Sequence, residues 1–276
     1  MPNFKLTGFA DEAGVAAEDQ IKVLKANGIG YAEVRTVDGK NIITLSDDEL
    51  KAFKKKLDSA GIKVSAIGSP IGKTPIEEDF ALTLKNFERA LSAADILDSP
   101  FIRAFSFYMP KDTDPMQYAD EVIKRLKELV KITMGRGKQY ALENESGIFT
   151  DIPQRCAYVL DRIPDIRFVF DPCNFIFNNA PALDAWALLK KRVTYFHIKD
   201  GNTQTRHAVP AGEGEGKIPE ILKAAYAGGF DSFLSIEPHL KYMGNCSEAQ
   251  HFTIAANGLK KVLNETFNAG LKLADV

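Results

Sequence analysis

The chain has 276 residues, of which 45% are hydrophobic and 26% charged, a composition typical of an ordinary globular protein. Its formal net charge of −2 gives no electrostatic reason to expect nucleic acid or an anionic membrane as a partner. Three cysteines, an odd number without a CxxC pair, favour a reducing compartment over a disulfide framework. The first residues lack an apolar signal core, and no apolar run reaches the roughly 18 residues of a membrane-spanning helix. We therefore expect a cytoplasmic protein without a membrane partner.

Strand-like segments alternate with helical patterns along the whole chain. Each segment is a short run rich in β-branched, aromatic or aliphatic residues, and turn residues separate it from its neighbours. The sequence predicts these strands: Phe4–Ala10, Gly30–Arg35, Lys63–Gly68, Phe101–Phe107, Tyr140–Glu145, Arg167–Asp171, Val193–Lys199 and Phe233–Glu237.

The helices between these strands have recognisable first and last residues. Ser46 and Glu49 predict a capping box, in which the hydroxyl and the carboxylate each bind an amide at the helix N-terminus. Asp114 and Pro115 predict an N-cap followed by a first-turn proline. Several helices are expected to end at a glycine just before the next strand, as at Gly61.

Eight alternations of strand and helix over this length are typical of a (β/α)8 TIM barrel, an α/β fold. No linker or low-complexity stretch interrupts the pattern, so we expect one domain across residues 1–276. The main competing fold is a doubly wound open sheet, but no GxGxxG motif follows the first predicted strand.

Metal-capable side chains stand at the C-terminal ends of the last four predicted strands, namely Glu143, Asp171, His197 and Glu237. In a TIM barrel these ends converge with the βα loops, where the catalytic residues of the fold lie. Any one of these residues alone would more often be a loop cap, an ion-pair partner or a structural histidine. Three carboxylates and one imidazole together favour Mn²⁺, with Mg²⁺ and Co²⁺ also suited and Zn²⁺ compatible. The sequence therefore predicts a divalent-metal site.

Seven short motifs together resemble those of one enzyme family. They are Gly30–Arg35, Gly68–Lys73, Leu142–Glu145, Phe170–Asn174, His197–Asp200, Pro210–Gly214 and Ile236–His239. On these motifs the chain, over essentially its whole length, is similar to the sugar phosphate isomerase/epimerase superfamily of carbohydrate metabolism, the xylose isomerase-like TIM barrels. The resemblance implies that Glu143, Asp171, His197 and Glu237 are the metal ligands. It also implies that Glu143 and Glu237 are the catalytic acid/base pair.

The chemistry that this resemblance implies is proton transfer next to a sugar carbonyl. A divalent ion chelated by the carbonyl and the adjacent hydroxyl acidifies the C–H between them and stabilises an enediolate. Return of a proton to the opposite face gives epimerisation, and return to the neighbouring carbon gives aldose–ketose isomerisation. The same enolate can instead expel a β-hydroxyl, as in an inosose-type dehydratase. The named residues leave these outcomes open, and an isomerase or epimerase is the leading interpretation.

Six further residues are candidate contacts to a carbohydrate, sugar-acid or sugar-phosphate substrate: Lys199, Arg206, Asn174, Arg103, Lys73 and Glu33. Lys199 suits a substrate hydroxyl, carboxylate or phosphate, although a solvated or salt-bridged lysine explains it equally well. Glu33 and Arg35 share one strand face, so an internal ion pair is the plainer interpretation of these two residues. Asn174 stands where ketose 3-epimerase-like members tend to have His, which argues against 3-epimerisation of a free ketose.

Two other classes of protein fit the sequence less well. An endonuclease IV-like enzyme would need more histidines for its zinc ions than the four present, and a basic surface for DNA. A non-catalytic sugar-binding barrel is expected to lack a ligand or an acid/base glutamate, and here all four residues are present. Barrels of this kind often form homodimers, although no segment of the sequence stands out as an interface.

The segment Gly212–Lys217 resembles a phosphate-binding loop. The Walker pattern would need Gly in place of Ala211 and Ser or Thr in place of Ile218. Its two acidic residues would also repel a triphosphate, so we expect a flexible loop after the seventh strand.

Overall fold

Eight strands form the main sheet of the computed structural model, which describes residues 2–276. Each strand runs parallel to the neighbours with which it pairs. The strands are β1 (Lys5–Gly8), β2 (Tyr31–Val34), β3 (Lys63–Gly68), β4 (Phe101–Ala104), β5 (Gln139–Glu143), β6 (Arg167–Phe170), β7 (Val193–Ile198) and β8 (Phe233–Ile236).

The sheet curls into a nearly closed barrel. Its order is β2, β3, β4, β5, β6, β7, β8 and β1, so the first two strands of the chain form its two edges. These edges contact each other, which brings the sheet round on itself. This architecture confirms the predicted (β/α)8 TIM barrel and excludes the doubly wound open sheet. The single domain over residues 1–276 stays a prediction.

Nine α-helices accompany the strands within residues 2–276. They are α1 (Ala17–Ala26), α2 (Asp47–Ala60), α3 (Phe80–Ile96), α4 (Ala119–Gly135), α5 (Pro153–Arg162), α6 (Pro172–Phe177), α7 (Ala182–Leu189), α8 (Ile218–Ala227) and α9 (Glu248–Phe267). The predicted capping box of Ser46 and Glu49 begins α2, and Gly61 ends it with φ 72° in the left-handed region. Asp114 caps a short 3-10 helix that leads into α4. Among the described helices, none combines the length and the apolar character that a bilayer crossing requires.

Apolar side chains fill the interior of the barrel below its polar end. A buried cluster from β3 to β8 comprises Ala66, Phe101, Ala141, Val169, Tyr195 and Phe233. Inward-facing side chains of a TIM barrel stack in layers, and burial of each large one contributes about 1.5–3 kcal/mol. A larger apolar cluster lies between the sheet and the surrounding helices. The polar residues at the C-terminal end of the barrel therefore lie above a packed apolar core.

Several strands end earlier than the sequence predicts. β4 ends at Ala104 rather than Phe107, because the Phe105 and Phe107 amides donate hydrogen bonds to Ile71 and Gly72 in the loop after β3. Glu143 closes β5, whereas Asp171 and Glu237 directly follow β6 and β8. The predicted site residues thus lie at the junction between strands and loops.

Candidate metal centre

Four metal-capable side chains meet at the C-terminal mouth of the barrel. Glu143, Asp171, His197 and Glu237 come from β5, β7 and the residues that follow β6 and β8. One ligand atom of each lies within 4.8 Å of those of the other three, and all four residues are buried. The parallel strands therefore assemble residues that are far apart in the sequence.

His197 is held between two carboxylates. Its Nδ1 lies 2.9 Å from Glu143 Oε1, and its Nε2 lies 3.2 Å from each carboxylate oxygen of Glu33. Tyr195 donates a hydrogen bond of 2.8 Å to Glu33 Oε2, and the ring of Phe9 packs edge-on against the imidazole. Burial by itself lowers the pKa of His197, but the two carboxylates raise it well above its usual range. These contacts fix the orientation of the imidazole.

Asp171 uses one carboxylate oxygen to cap a helix. Its Oδ1 accepts a hydrogen bond of 3.0 Å from the Asn174 amide at the start of α6. Its backbone is fixed by Asn144, which donates to the Asp171 carbonyl and accepts from the Asp171 amide. The other oxygen, Oδ2, is buried without an aligned hydrogen bond from any described residue, although Lys199 Nζ lies 2.7 Å away. Burial raises the pKa of Asp171 to about 7, and the charge of Lys199 opposes this shift.

Glu237 lies between two side chains that carry donors. Lys199 donates a hydrogen bond of 2.9 Å to Glu237 Oε2, and His239 Nε2 lies 3.1 Å from Oε1. Burial would raise the pKa of Glu237, but Lys199 and His239 together lower it well below its usual range. This lowering of the pKa favours the carboxylate form of Glu237.

Arg103 and Glu33, two of the predicted substrate contacts, form a buried layer beneath these side chains. Arg103 Nε lies 3.3 Å from Glu143 Oε2 and 3.6 Å from Glu33 Oε1. The guanidinium also donates to the Ser69 carbonyl at 2.9 Å. Arg103 thus contacts Glu143, and Glu33 contacts His197.

Glu33 and Arg35 bond to different partners instead of each other, contrary to the ion pair expected from the sequence. β2 has an irregularity in register between Ala32 and Glu33, and the strand ends before Arg35. Arg35 Nε donates to Asp11 Oδ2 at 2.8 Å, while Glu33 faces His197. Sharing one face of a strand is therefore not sufficient to pair two side chains.

A cleft of about 630 Å³ opens next to this cluster of candidate ligands, and Lys199 and His239, which both contact Glu237, line it. Of the predicted substrate contacts, Lys199, Asn174 and Arg206 line it. Lys73 reaches the same region through Glu145, another lining residue, to which it donates a hydrogen bond of 2.8 Å. The cleft thus combines cationic and amide groups suited to the oxygens of a carbohydrate.

His251 is a cleft residue that sequence reasoning missed. It lies in α9 with 8% of its surface exposed, and its Nε2 has no hydrogen-bond partner among residues 2–276. No motif surrounds it in the sequence, and a helical histidine without a motif is more often a core residue. It joins the cleft because α9 packs against the 3-10 helix Ala10–Glu12 that follows β1, a contact between the two ends of the chain.

The glycine-rich segment after β7 encloses a carboxylate of the protein itself. Asp200 accepts hydrogen bonds from the amides of Gly212, Gly214 and Gly216, at 2.9, 3.1 and 2.8 Å. These amides are arranged as in an anion-binding loop, but Asp200 occupies the place that a phosphate would take. The rejection of a phosphate loop agrees with this arrangement, whereas the expected flexible loop is instead anchored by Asp200.

The four candidate ligands suit a divalent metal ion. Three carboxylates and one imidazole at this spacing are typical ligands of ions such as Mn²⁺, Mg²⁺ and Zn²⁺. Asp171 Oδ2 is buried without an aligned hydrogen bond, and the Lys199 ammonium lies 2.7 Å from it, so this position already holds a positive charge next to the carboxylate. The residues present therefore fit the ion that the sequence predicts.

Comparison with known proteins gives the family. The model of the xylose isomerase-like TIM barrel family matches residues 21–261. The chain belongs to this family. Solved structures with the same fold extend the match to nearly the whole chain, as three examples show.

The IolI protein with a bound zinc atom is 16% identical, with a TM-score of 0.79 over 96% of this chain and 99% of that one. A D-tagatose 3-epimerase-like protein is 17% identical, with a TM-score of 0.75 over 96% of this chain and 99% of that one. The probable 3-DHS dehydratase AsbF from Bacillus anthracis is 16% identical, with a TM-score of 0.74 over 92% of this chain and 99% of that one. At these identities the likeness shows the shared barrel fold.

Proposed function

We propose that this protein is a cytoplasmic, divalent-metal-dependent isomerase or epimerase that acts on a small sugar or sugar phosphate through an enediolate. One observation carries the proposal: ligand atoms of Glu143, Asp171, His197 and Glu237 lie within 4.8 Å of one another, beside an open cleft. The family offers a scaffold for such chemistry, because TIM-barrel active sites lie at this end of the strands.

Each named residue has a part in this proposal. Bound to the four ligands, a divalent ion such as Mn²⁺ would stabilise the negative charge that develops on the substrate oxygens. Glu143 and Glu237 move the proton, and they have different neighbours: Arg103 contacts Glu143, while His239 contacts Glu237.

Three cleft residues hold the sugar in this proposal. Lys199, Asn174 and Arg206 line the cleft, and we assign them to the oxygens of the bound sugar. Accurate placement of that carbon against a carboxylate is what makes proton transfer fast.

The first test is solvent deuterium exchange in the Mn²⁺-loaded protein. Ketoses, aldoses, their phosphates and inososes are incubated in D₂O and followed by NMR, and at least one is expected to take up deuterium next to its carbonyl. Glu237→Gln should slow this exchange by about 10²–10⁴-fold while Mn²⁺ remains bound. Glu220→Gln, on the exposed side of α8, is the control and should exchange as the wild type does.

The same experiment separates the alternatives. A product that has lost water would identify the inosose-type dehydratase instead of an isomerase. Sugar binding without exchange by any probe would overturn the enzymatic proposal in favour of a sugar-binding barrel.

A further inference from the structure

The ammonium group of Lys199 lies among the candidate metal ligands. Lys199 follows β7 and continues the inward-facing series of Tyr195 and His197 along that strand. Its Nζ lies 2.7 Å from Asp171 Oδ2 and 2.9 Å from Glu237 Oε2. The residue is 6% exposed, so these are contacts of a buried cation and not of a solvated surface lysine.

The two oxygens that Lys199 contacts are those that a metal ion would need. Asp171 Oδ1 is committed to capping α6 through the Asn174 amide, which leaves Oδ2 for a ligand bond. Glu237 Oε1 faces His239 and, at 3.7 Å, Arg35, whereas Oε2 points towards Lys199. An ammonium group is a donor without a lone pair, so it cannot itself bind a metal ion.

We infer that the Lys199 ammonium group occupies the metal site until a divalent ion displaces it. The Lys199 charge balances Asp171 and Glu237, and a divalent ion bound by these carboxylates would take over that role. The displaced ammonium then moves into the cleft, which Lys199 already lines beside Glu145. The Lys199 ammonium group would then be available to bind a substrate in the cleft.

This inference rests on the proposed metal site and adds a competitor to it. Two cations that share the same carboxylate oxygens repel each other, most strongly where water is excluded. Removal of the lysine charge is therefore expected to strengthen metal binding, although Lys199 is not a ligand. A lysine with a purely structural role would have no such effect.

The test compares Mn²⁺ affinity by titration calorimetry in chelator-stripped proteins. Lys199→Met and Lys199→Gln should each bind Mn²⁺ about 10–100-fold more tightly than the wild type, the range over which neighbouring groups change metal affinity. Lys73→Met is the matched control, because it removes a lysine that pairs with Glu145 but contacts none of the four ligands. Its Mn²⁺ affinity should change by less than about threefold.

A second measurement uses the wild-type protein and does not depend on a folded variant. Lysines are labelled with an amine-reactive reagent with and without Mn²⁺, and labelling at Lys199 is quantified by mass spectrometry against the exposed Lys51 as reference. Labelling of Lys199 should rise severalfold when Mn²⁺ is present.

The outcomes distinguish this inference from the function on which it rests. Equal Mn²⁺ affinity in the wild type and both Lys199 variants would overturn the displacement and leave the metal site standing. Labelling of Lys199 that Mn²⁺ does not increase would overturn it as well. If none of the proteins binds Mn²⁺, the metal site and the inference fall together.

Discussion

The orientation of His197 depends on a chain of buried hydrogen bonds across the barrel interior. Thr7 and Ser65 hydroxyls lie 2.7 Å apart, and Ser65 lies 3.0 Å from the Tyr195 hydroxyl. Tyr195 donates to Glu33 Oε2, and the Glu33 carboxylate in turn faces His197 Nε2. Four strands contribute to this chain, so the imidazole is positioned by groups that never contact the cleft. Buried networks of this kind are strong only while every member has its partner.

Tyr195→Phe tests this chain at its centre. Loss of the hydroxyl removes one hydrogen bond from Ser65 and one from Glu33, which should lower the free energy of unfolding by about 1–3 kcal/mol. Because Glu33 then holds His197 less firmly, Mn²⁺ affinity should also fall, by about tenfold. Denaturant unfolding and titration calorimetry measure the two effects.

Tyr140→Phe is the matched control for this prediction. Tyr140 is equally buried, and its hydroxyl donates to the Phe105 carbonyl outside the candidate metal centre. The variant should lose stability of similar size, about 1–3 kcal/mol, and keep its Mn²⁺ affinity. Equal Mn²⁺ affinities in the two variants would show that Tyr195 has no influence on the centre.

Among the elements, the loop after β7 depends most closely on particular glycines. Gly212, Gly214 and Gly216 bring their amides to Asp200, which lies next to Lys199 in the sequence. A Cβ atom built on Gly214 would lie 2.3 Å from Asp200 Oδ1, closer than any real contact. The glycines are therefore required because the backbone approaches a side chain, and the spacing that resembles a phosphate loop has a structural cause.

Gly214→Ala should consequently distort this loop. We expect a loss of about 1–3 kcal/mol in the free energy of unfolding, the range for a group forced into a packed site. Any isomerase activity should fall with it, because Asp200 directly follows Lys199. Thermal unfolding and the deuterium-exchange assay measure both effects.

Gly135→Ala is the control for the loop variant. Gly135 is the last residue of α4, and nothing lies within 4 Å of a Cβ atom built there. Alanine is favoured over glycine in a helix, so this variant should be neutral or slightly more stable. A Gly214→Ala protein as stable and as active as Gly135→Ala would contradict the proposed role of the loop.

The strands and helices were predictable because their signals are local. The capping box at Ser46 and the left-handed glycine at Gly61 are set by neighbouring residues, and the structure has both. The ends of the strands were less predictable, since β4 ends where its amides find partners in the loop after β3. The anchoring of the glycine-rich loop by Asp200 was not predicted, because Asp200 and Gly212 are 12 residues apart in the sequence and no local motif links them.

At the scale of the whole molecule, the barrel brings residues from the ends of β5, β6, β7 and β8 together in one candidate site. Parallel strands in one nearly closed barrel bring their C-terminal ends together, so the positions of Glu143 and Glu237 in the sequence are enough to predict that they meet. The partners of each side chain depend on packing between distant strands, and there the sequence is a poorer guide. Arg35 bonds to Asp11 and not to Glu33, and His251 reaches the cleft from the last helix.

Metal binding should stabilise the whole barrel, because the four candidate ligands lie at the ends of separate strands that unfolding would separate. At a free Mn²⁺ concentration of about 100 times its Kd, mass action adds about 2.7 kcal/mol to the free energy of unfolding. For a chain of this length that corresponds to a rise in Tm of roughly 5 °C in a calorimetric scan. Asp171→Asn should abolish most of this rise while preserving the helix cap, since Asn caps helices as well as Asp does.

Asp79→Asn is the control that assigns the effect to the metal centre. Asp79 caps α3 through the Ala81 amide in the same way as Asp171 caps α6, but it lies outside the four candidate ligands. Its variant should show the full Mn²⁺-induced rise in Tm. If both variants keep the rise, Mn²⁺ binds elsewhere on the protein, whereas loss of the rise only in Asp171→Asn ties the stability of the barrel to the ion at its mouth.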